Sequence, residues 1–245
     1  MNYYEKYLKY KLKYKSLKKI NQTGGKNNII YHIIGASGAG KTFLGQKLSK
    51  LKNTIVVDLD DIEDKYKINF YENEKNYSKI KNLRKYKNED DSYNLDKIDK
   101  IWLGEIEAEI TKNKKKDLLK ILKNNSNKHI ILVGHTMDPP TGYIVKGYSI
   151  DIDADTLYKQ LNLRTLKLIN DNMDEITKLL KNDDIPMEVK DQLLNYKYKI
   201  RVPFQKSSYS ILSALLKRNN IATQKGYKIL KANNIYEEIS HSIEK

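Results

Sequence analysis

The sequence predicts an α/β protein built on a parallel sheet, and three observations carry that prediction. The run Ile29-Ile30-Tyr31-His32-Ile33-Ile34 is short, β-branched and almost uncharged, as a buried strand is. It leads directly into Gly35-Ala36-Ser37-Gly38-Ala39-Gly40-Lys41-Thr42, which satisfies G-x-x-x-x-G-K-[ST]. Phe43, Leu44, Leu48 and Leu51 then keep the spacing of a helix face, so strand, glycine loop and helix follow in the order that gives the pattern meaning. Further short apolar runs alternate with helical stretches down the chain. Five strands alternating with helices imply a three-layer α/β/α arrangement with right-handed crossovers.

The chemistry of the loop follows from its residue types. Gly35, Gly38 and Gly40, with the small Ala36, Ser37 and Ala39, let backbone amides turn inward toward phosphate oxygens. The following helix N-terminus adds partial positive charge. Lys41 is expected to reach the β- and γ-phosphates, and the Thr42 hydroxyl to hold Mg²⁺. A bound nucleotide is the expectation.

Composition narrows the partners. The chain has 245 residues, 39% hydrophobic and 31% charged, which fits one α/β domain with insertions. A net charge of +15 invites a nucleic-acid reading. Against it, Arg occurs only at Arg84, Arg164, Arg201 and Arg218, and the other 42 of the 46 basic residues are Lys. Lys is the poorer residue for bidentate phosphate or guanine contacts. Abundant Lys, Asn, Ile and Tyr are also what an AT-rich coding sequence produces, so nucleic acid is not favoured. The chain contains no Cys, which excludes disulfides, thiolate metal sites and cysteine nucleophiles. No apolar run approaches the roughly 20 residues of a membrane span. The N-terminus lacks the apolar core of a secretion signal.

Residues 1–25 read as a separate leader. Tyr3, Tyr7, Tyr10, Tyr14 and Leu17 lie on one helical seam, Leu8 and Leu12 widen it, and Lys fills the opposite face. Gly24-Gly25 then break the helix. A basic amphipathic helix of this kind docks on its own domain, lies on a membrane surface, contacts another protein or serves as an address. Tyr is less suited to membrane insertion than Leu or Phe, which favours protein contact or an address. Residues 26–245 form the main domain.

Thr54-Ile55-Val56-Val57-Asp58 is a second strand whose end delivers carboxylates. Ligands of open parallel sheets bind outside the carboxyl ends of strands, which places Asp58 near the phosphates as a Mg²⁺-shell residue. Asp60 points the same way if the chain is still extended there, and is then suited to orient a substrate hydroxyl. Alternatively, Asp60 or Asp61 caps a helix carrying Ile62.

These two stretches, Gly35 through Leu48 and Val57-Asp58-Leu59-Asp60-Asp61-Ile62-Glu63, resemble the start of P-loop kinases of the shikimate-, gluconate- and nucleotide-kinase-like group. The resemblance is good over residues 29–64 and thin thereafter. It implies a P-loop NTPase fold with strand order 2-3-1-4-5, the cofactors ATP and Mg²⁺, and phosphoryl transfer to a small molecule. Separately, Tyr7-Leu8-Lys9-Tyr10-Lys11-Leu12-Lys13-Tyr14 through Gly24-Gly25 resembles the N-terminus of many mimivirus-type giant-virus proteins. That likeness implies a viral protein of the host cytoplasm, in the viral factory, or of the virion.

Residues 65–128 occupy the slot where such kinases place an acceptor-binding insertion. Helical spacing runs from Asp96 to Glu109 and again from Lys114 to Lys123. Trp102 is either a core plug or a stacking surface, and Arg84 a candidate anion clamp. A third strand, His129 to Thr136, carries no acidic residue at its end, which counts against motor-type ATPases. Gly134 fits the kinase-like pattern, and His135 either touches substrate or caps the loop. A fourth strand spans Tyr148 to Ile152, followed by a helix carrying Arg164. The resemblance makes Arg164 a lid residue that stabilises the transferring phosphoryl group, with surface salt-bridging the alternative. No second Arg follows closely, and Arg201, in a lid-like helical insertion at 165–222, is the candidate to supply it. Gly226 to Leu230 reads as the fifth strand, and Ile235, Ile239 and Ile243 as one face of a closing helix.

The expected function is ATP- and Mg²⁺-dependent phosphoryl transfer to a small molecule or nucleotide. Lys41, Asp60 and Arg164 carry it, residues 35–42 bind the nucleotide, and Thr42 and Asp58 hold the metal. The alternatives are a nucleotide hydrolase or switch, and a non-catalytic virion-associated protein that keeps the fold.

Overall fold

The structure, a computed structural model, describes residues 29–76, 108–200 and 208–244. Five strands form one sheet: β1 (Ile29–Ile34), β2 (Thr54–Asp58), β3 (His129–Val133), β4 (Ile144–Ile150) and β5 (Lys228–Leu230). All neighbours pair in parallel, in the order β2-β3-β1-β4-β5. This is the parallel α/β sheet that the alternation of strands and helices predicts, in the strand order that the resemblance to P-loop kinases implies. The helices are α1 (Lys41–Leu48), α2 (Leu59–Glu72), α3 (Ala108–Asn124), α4 (Ala154–Asp171), α5 (Met173–Lys181), α6 (Met187–Tyr196), α7 (Ser208–Gln224) and α8 (Ala232–Glu244). The proposed leader, the Asp96–Glu109 helix but for its last two residues, Arg84, Trp102 and Arg201 lie outside the described residues.

The described chain forms two compact units. The first, residues 29–59, 119–151 and 217–244, holds the sheet. Its central strand β1 is apolar and buried from Ile30 onward, because both its neighbours and the covering helices exclude water from it. Helix α1 packs on β2 and β3, and α8 packs on α1 and β4. Gly45 sets how closely α1 approaches. A Cβ there would sit 3.1 Å from Val56 Cγ1 and 3.3 Å from Val133 Cγ2.

The second unit, residues 60–76, 108–118, 152–200 and 208–216, is helical and has its own core. Val189 and Leu193 of α6, Ile176 and Leu179 of α5, and Tyr71 of α2 pack together there. The Tyr71 and Tyr196 rings stack at 5.8 Å and 6°. Tyrosine here fills core positions that Leu or Phe could fill, with each hydroxyl needing a polar neighbour. The hydroxyl of Tyr198 donates to Glu175 at 3.2 Å, and Lys67 donates to that of Tyr196 at 3.1 Å. Glu63 bonds Lys67 and Lys114, each at 2.6 Å. Burial works to raise the Glu63 carboxyl, but these two ammonium groups hold it below the ordinary range.

Strand boundaries depart from expectation where side chains carry two messages. β4 starts at Ile144, four residues before Tyr148, because Lys146 and Gly147 interrupt its apolar run. Both have a place in the sheet. Lys146 Nζ donates to Ser242 Oγ at 3.0 Å, and a Cβ on Gly147 would fall 2.1 Å from the Tyr227 ring. β3 stops at Val133, short of Thr136, since Gly134 turns out of the strand at φ 114°. β5 begins at Lys228 rather than Gly226. β4 ends at Ile150, and Asp153 caps α4 by accepting from Thr156 N at 2.8 Å.

The space left by Gly147 lets Tyr227 reach the middle of β1. Its hydroxyl lies 2.7 Å from His32 Nδ1, and His32 Nε2 lies 2.9 Å from the carbonyl oxygen of Gly134. A carbonyl only accepts, so Nε2 carries the proton and Nδ1 accepts from Tyr227. Burial lowers the His32 pKa from 6.5 to about 4; the Gly134 bond opposes that shift and nearby Lys225 adds to it. Lys225 itself is paired with Asp138. The neutral imidazole thus ties the end of β3 to β1, one residue pair from the glycine loop.

Two outcomes follow. Gly45→Val should lower stability by about 1–3 kcal/mol, because α1 must lift off β2 and β3. A urea midpoint equal to wild type would count against that close packing. His32 is protonated less readily when folded than unfolded, so its contribution is complete above pH 6.5. As pH falls from 6.5 to about 4 the unfolded chain gains a proton that the native one does not, and stability drops by about 3 kcal/mol. Urea midpoints across that range should show the drop, and His32→Gln should remove this component of the slope. An identical pH slope in both proteins would contradict it.

Candidate functional site

The glycine loop leaves β1 at Gly35 and delivers the chain to α1. Gly38 and Gly40 have φ of 87° and 84°, a region that L side chains enter only with strain. Between them Ala39 N bonds Ala36 O at 3.1 Å and closes the turn. Gly35 is packed from below: a Cβ there would lie 3.4 Å from Ile150 Cβ. The loop therefore needs glycine at Gly38 and Gly40, where φ is positive.

Lys41, the first residue of α1, turns back over this loop. Its ammonium donates to the carbonyl oxygens of Gly35 and Ala36, both at 3.1 Å, and the residue is only 8% exposed. Two loop carbonyls thus hold a buried cation above the glycines. In α1 the amide of Leu44 bonds back to Gly40 O at 2.9 Å. The amides of Thr42 and Phe43 come before it, in the turn where helix N–H groups point outward along the axis. A cation and outward amides together form a surface for an anion.

Thr42 Oγ1 donates to Asp58 Oδ2 at 3.4 Å, which joins the start of α1 to the end of β2. These hard oxygens, one hydroxyl and one carboxylate, suit Mg²⁺, which binds through one or two protein oxygens plus water and phosphate. Among the described residues no group of three His, Cys, Asp or Glu is arranged to hold a metal by itself. Thr42 and Asp58 would hold Mg²⁺ together with a phosphate, so the residues present fit a nucleotide–metal pair.

The structure brings together eight loop residues, Gly35 to Thr42, with Asp58. It treats Asp60 differently. Helix α2 begins at Leu59, directly on the end of β2, so the chain is no longer extended at Asp60. The alternation that would turn Asp60 to the same side as Asp58 does not apply. Asp60 and Asp61 instead occupy the first turn of α2, where carboxylates complement the helix dipole. Thr136 Oγ1 donates to Leu59 O at 2.9 Å and anchors that start, while the neighbouring His135 side chain is exposed. Arg164 is exposed in the middle of α4. Asp60 and Arg164 belong to the helical unit, and the loop, Thr42 and Asp58 to the sheet unit.

One group went unread in the sequence, and a second read there as cap or surface. His32 is a lone histidine in an apolar strand, and its partners Gly134 and Tyr227 lie 102 and 195 residues away. Asp64 titrates unusually: burial raises its carboxyl to about 6, with Lys199 opposing the shift and Asp60, Asp61 and Glu63 adding to it. Lys199 Nζ lies 2.6 Å from Asp61 and 3.8 Å from Asp64. Four acidic residues within five positions carried a signal of mutual repulsion. Glu63, no less buried than Asp64, is held low by Lys67 and Lys114, while Asp64, with Lys199 at 3.8 Å, is raised.

No helix among the described residues is long and apolar enough to cross a membrane. Neither a scan against protein-family models nor a search of the curated proteins finds a match to this chain.

Proposed function

We propose that the chain binds a nucleoside triphosphate, ATP in the first instance, with Mg²⁺ through residues 35–42, and transfers its terminal phosphoryl group to a small molecule or nucleotide. The observation that carries this reading is Lys41, buried and fastened by two loop carbonyls above glycines of positive φ. The pair Thr42 and Asp58 supports the metal. A bound Mg²⁺ would neutralise charge on the phosphates. Lys41 and the outward amides would do the same for charge that grows on the transferring group.

In the transfer, an acceptor hydroxyl oxygen forms a bond to the γ-phosphorus while the bridging oxygen leaves with the diphosphate. The hydroxyl proton passes to a carboxylate, the role we assign to Asp60, and Arg164 stabilises the transferring group. These two assignments rest on the resemblance to shikimate-, gluconate- and nucleotide-kinase-like enzymes. The Tyr/Lys-rich leader supports a giant-virus setting, in host cytoplasm or virion. There the leader would serve as a protein contact or address. A second reading, nucleotide binding without transfer as a switch or virion component, is favoured by the helical start at Leu59. That start takes Asp60 off the strand face of Asp58.

The test is transfer from ATP to a panel of nucleosides, nucleotides, sugars and oligonucleotide ends. Lys41→Ala should reduce the rate by roughly 100- to 1000-fold. Transfer untouched by that substitution would sink the kinase reading. ATP binding without transfer to any acceptor would favour the second.

A further inference from the structure

We infer that Phe43 is a stacking surface for the base of the bound nucleotide, and that it makes the site select nucleotides over inorganic polyphosphate without strongly choosing between bases. The inference rests on the nucleotide reading above and adds to it a residue that neither the loop pattern nor the resemblance assigns.

Phe43 follows Thr42 directly and is 74% exposed, the most open large apolar side chain described in the protein. It contributes little to the core that α1 builds with Leu44 and Leu48. Its position decides where the ring can go. In an α-helix every Cα–Cβ bond tilts toward the N-terminus, so a side chain in the first turn leans toward the loop end of the helix. The exposed ring therefore leans from the first turn of α1 toward the end of the helix that carries Lys41 and the first-turn amides. A triphosphate seated in the loop must pass its nucleoside out toward solvent.

The surroundings of Phe43 argue against a protein-docking role. On its face of α1 one turn on are Gln46 and Lys47, with the loop residues Ala39 and Gly40 before it, and Lys47 is turned over the Tyr236 ring at 4.0 Å. A docking surface presents contiguous apolar area. A nucleobase needs only one aromatic face, and stacking accepts any base because every base has a π-face.

The experiment is calorimetric titration of the full chain with Mg-ATP, Mg-GTP and Mg-tripolyphosphate. The proteins are wild type, Phe43→Ala, Phe43→Tyr and Lys41→Ala. Phe43→Ala should keep the wild-type melting curve, since the ring is exposed. It should lose roughly 5- to 150-fold in affinity for ATP and for GTP alike, with tripolyphosphate affinity unchanged. Phe43→Tyr should retain binding of both nucleotides, and Lys41→Ala should weaken all three ligands. Equal loss of ATP and tripolyphosphate in Phe43→Ala would overturn the inference, as would no loss of either; both leave the phosphate site standing. Failure of wild type to bind any of the three ligands would overturn the nucleotide reading, and this inference with it.

Discussion

A buried ammonium group needs partners, and the glycine loop at the end of β1 gives Lys41 two of them. Removing the charge from water costs on the order of several kcal/mol unless it is hydrogen-bonded. The carbonyls of Gly35 and Ala36 meet that need only because the loop bends through positive φ at Gly38 and Gly40. Gly35, where the loop leaves β1, leaves open the space in which a Cβ would lie 3.4 Å from Ile150 of β4. A lysine tied in this way has lost its rotamer freedom before any anion arrives, so binding an anion costs less ordering entropy.

The sheet beneath is held in register by more than its ladder. His32 fastens the last turn of β3 through Gly134, and Gly134 N also bonds Ile33 O at 3.0 Å. Gly147 is the permissive element, since without its missing side chain Tyr227 has no room to reach His32. Apolar packing could hold β1 against β3 equally tightly, but it is non-directional. A neutral imidazole with one donor and one acceptor allows a single arrangement, and it holds that arrangement next to the loop that depends on it.

How far the sequence revealed this follows from where each piece of information resides. β1 was legible to the residue, because an apolar β-branched run ends at a glycine that changes the backbone. The loop was legible because its conformation demands glycine at fixed positions. Asp58 was legible as the polar end of an apolar strand, and its carboxylate accepts a hydrogen bond from Thr42. The start of β4 was not, since Lys146 and Gly147 serve side-chain partners far along the chain rather than strand propensity. His32 was hidden for the same reason. In the helical unit the core uses Tyr71, Tyr196 and Tyr198, and in a chain of 19 tyrosines their spacing stands out little from composition.

The spacing Asp58-x-Asp60 has two structural readings, and the helix start at Leu59 selects the helical one for Asp60. Two residues apart on a strand, side chains share a face; on a helix, where each residue advances about 100°, they point nearly opposite ways. The junction between β2 and α2 falls between them with no connecting loop, and Leu59, fully buried as the first helical residue, keeps it there. Thr136 anchors the carbonyl of that residue from the end of β3. Asp58 is thus set by the sheet, together with the loop and Thr42, while Asp60 turns with α2. A carboxylate placed by the strand is suited to a metal, whose coordination geometry is strict. One carried on a helix that enters the second unit moves with whatever positions that helix. Of the two roles, holding the metal is the one that a parallel sheet can specify by itself.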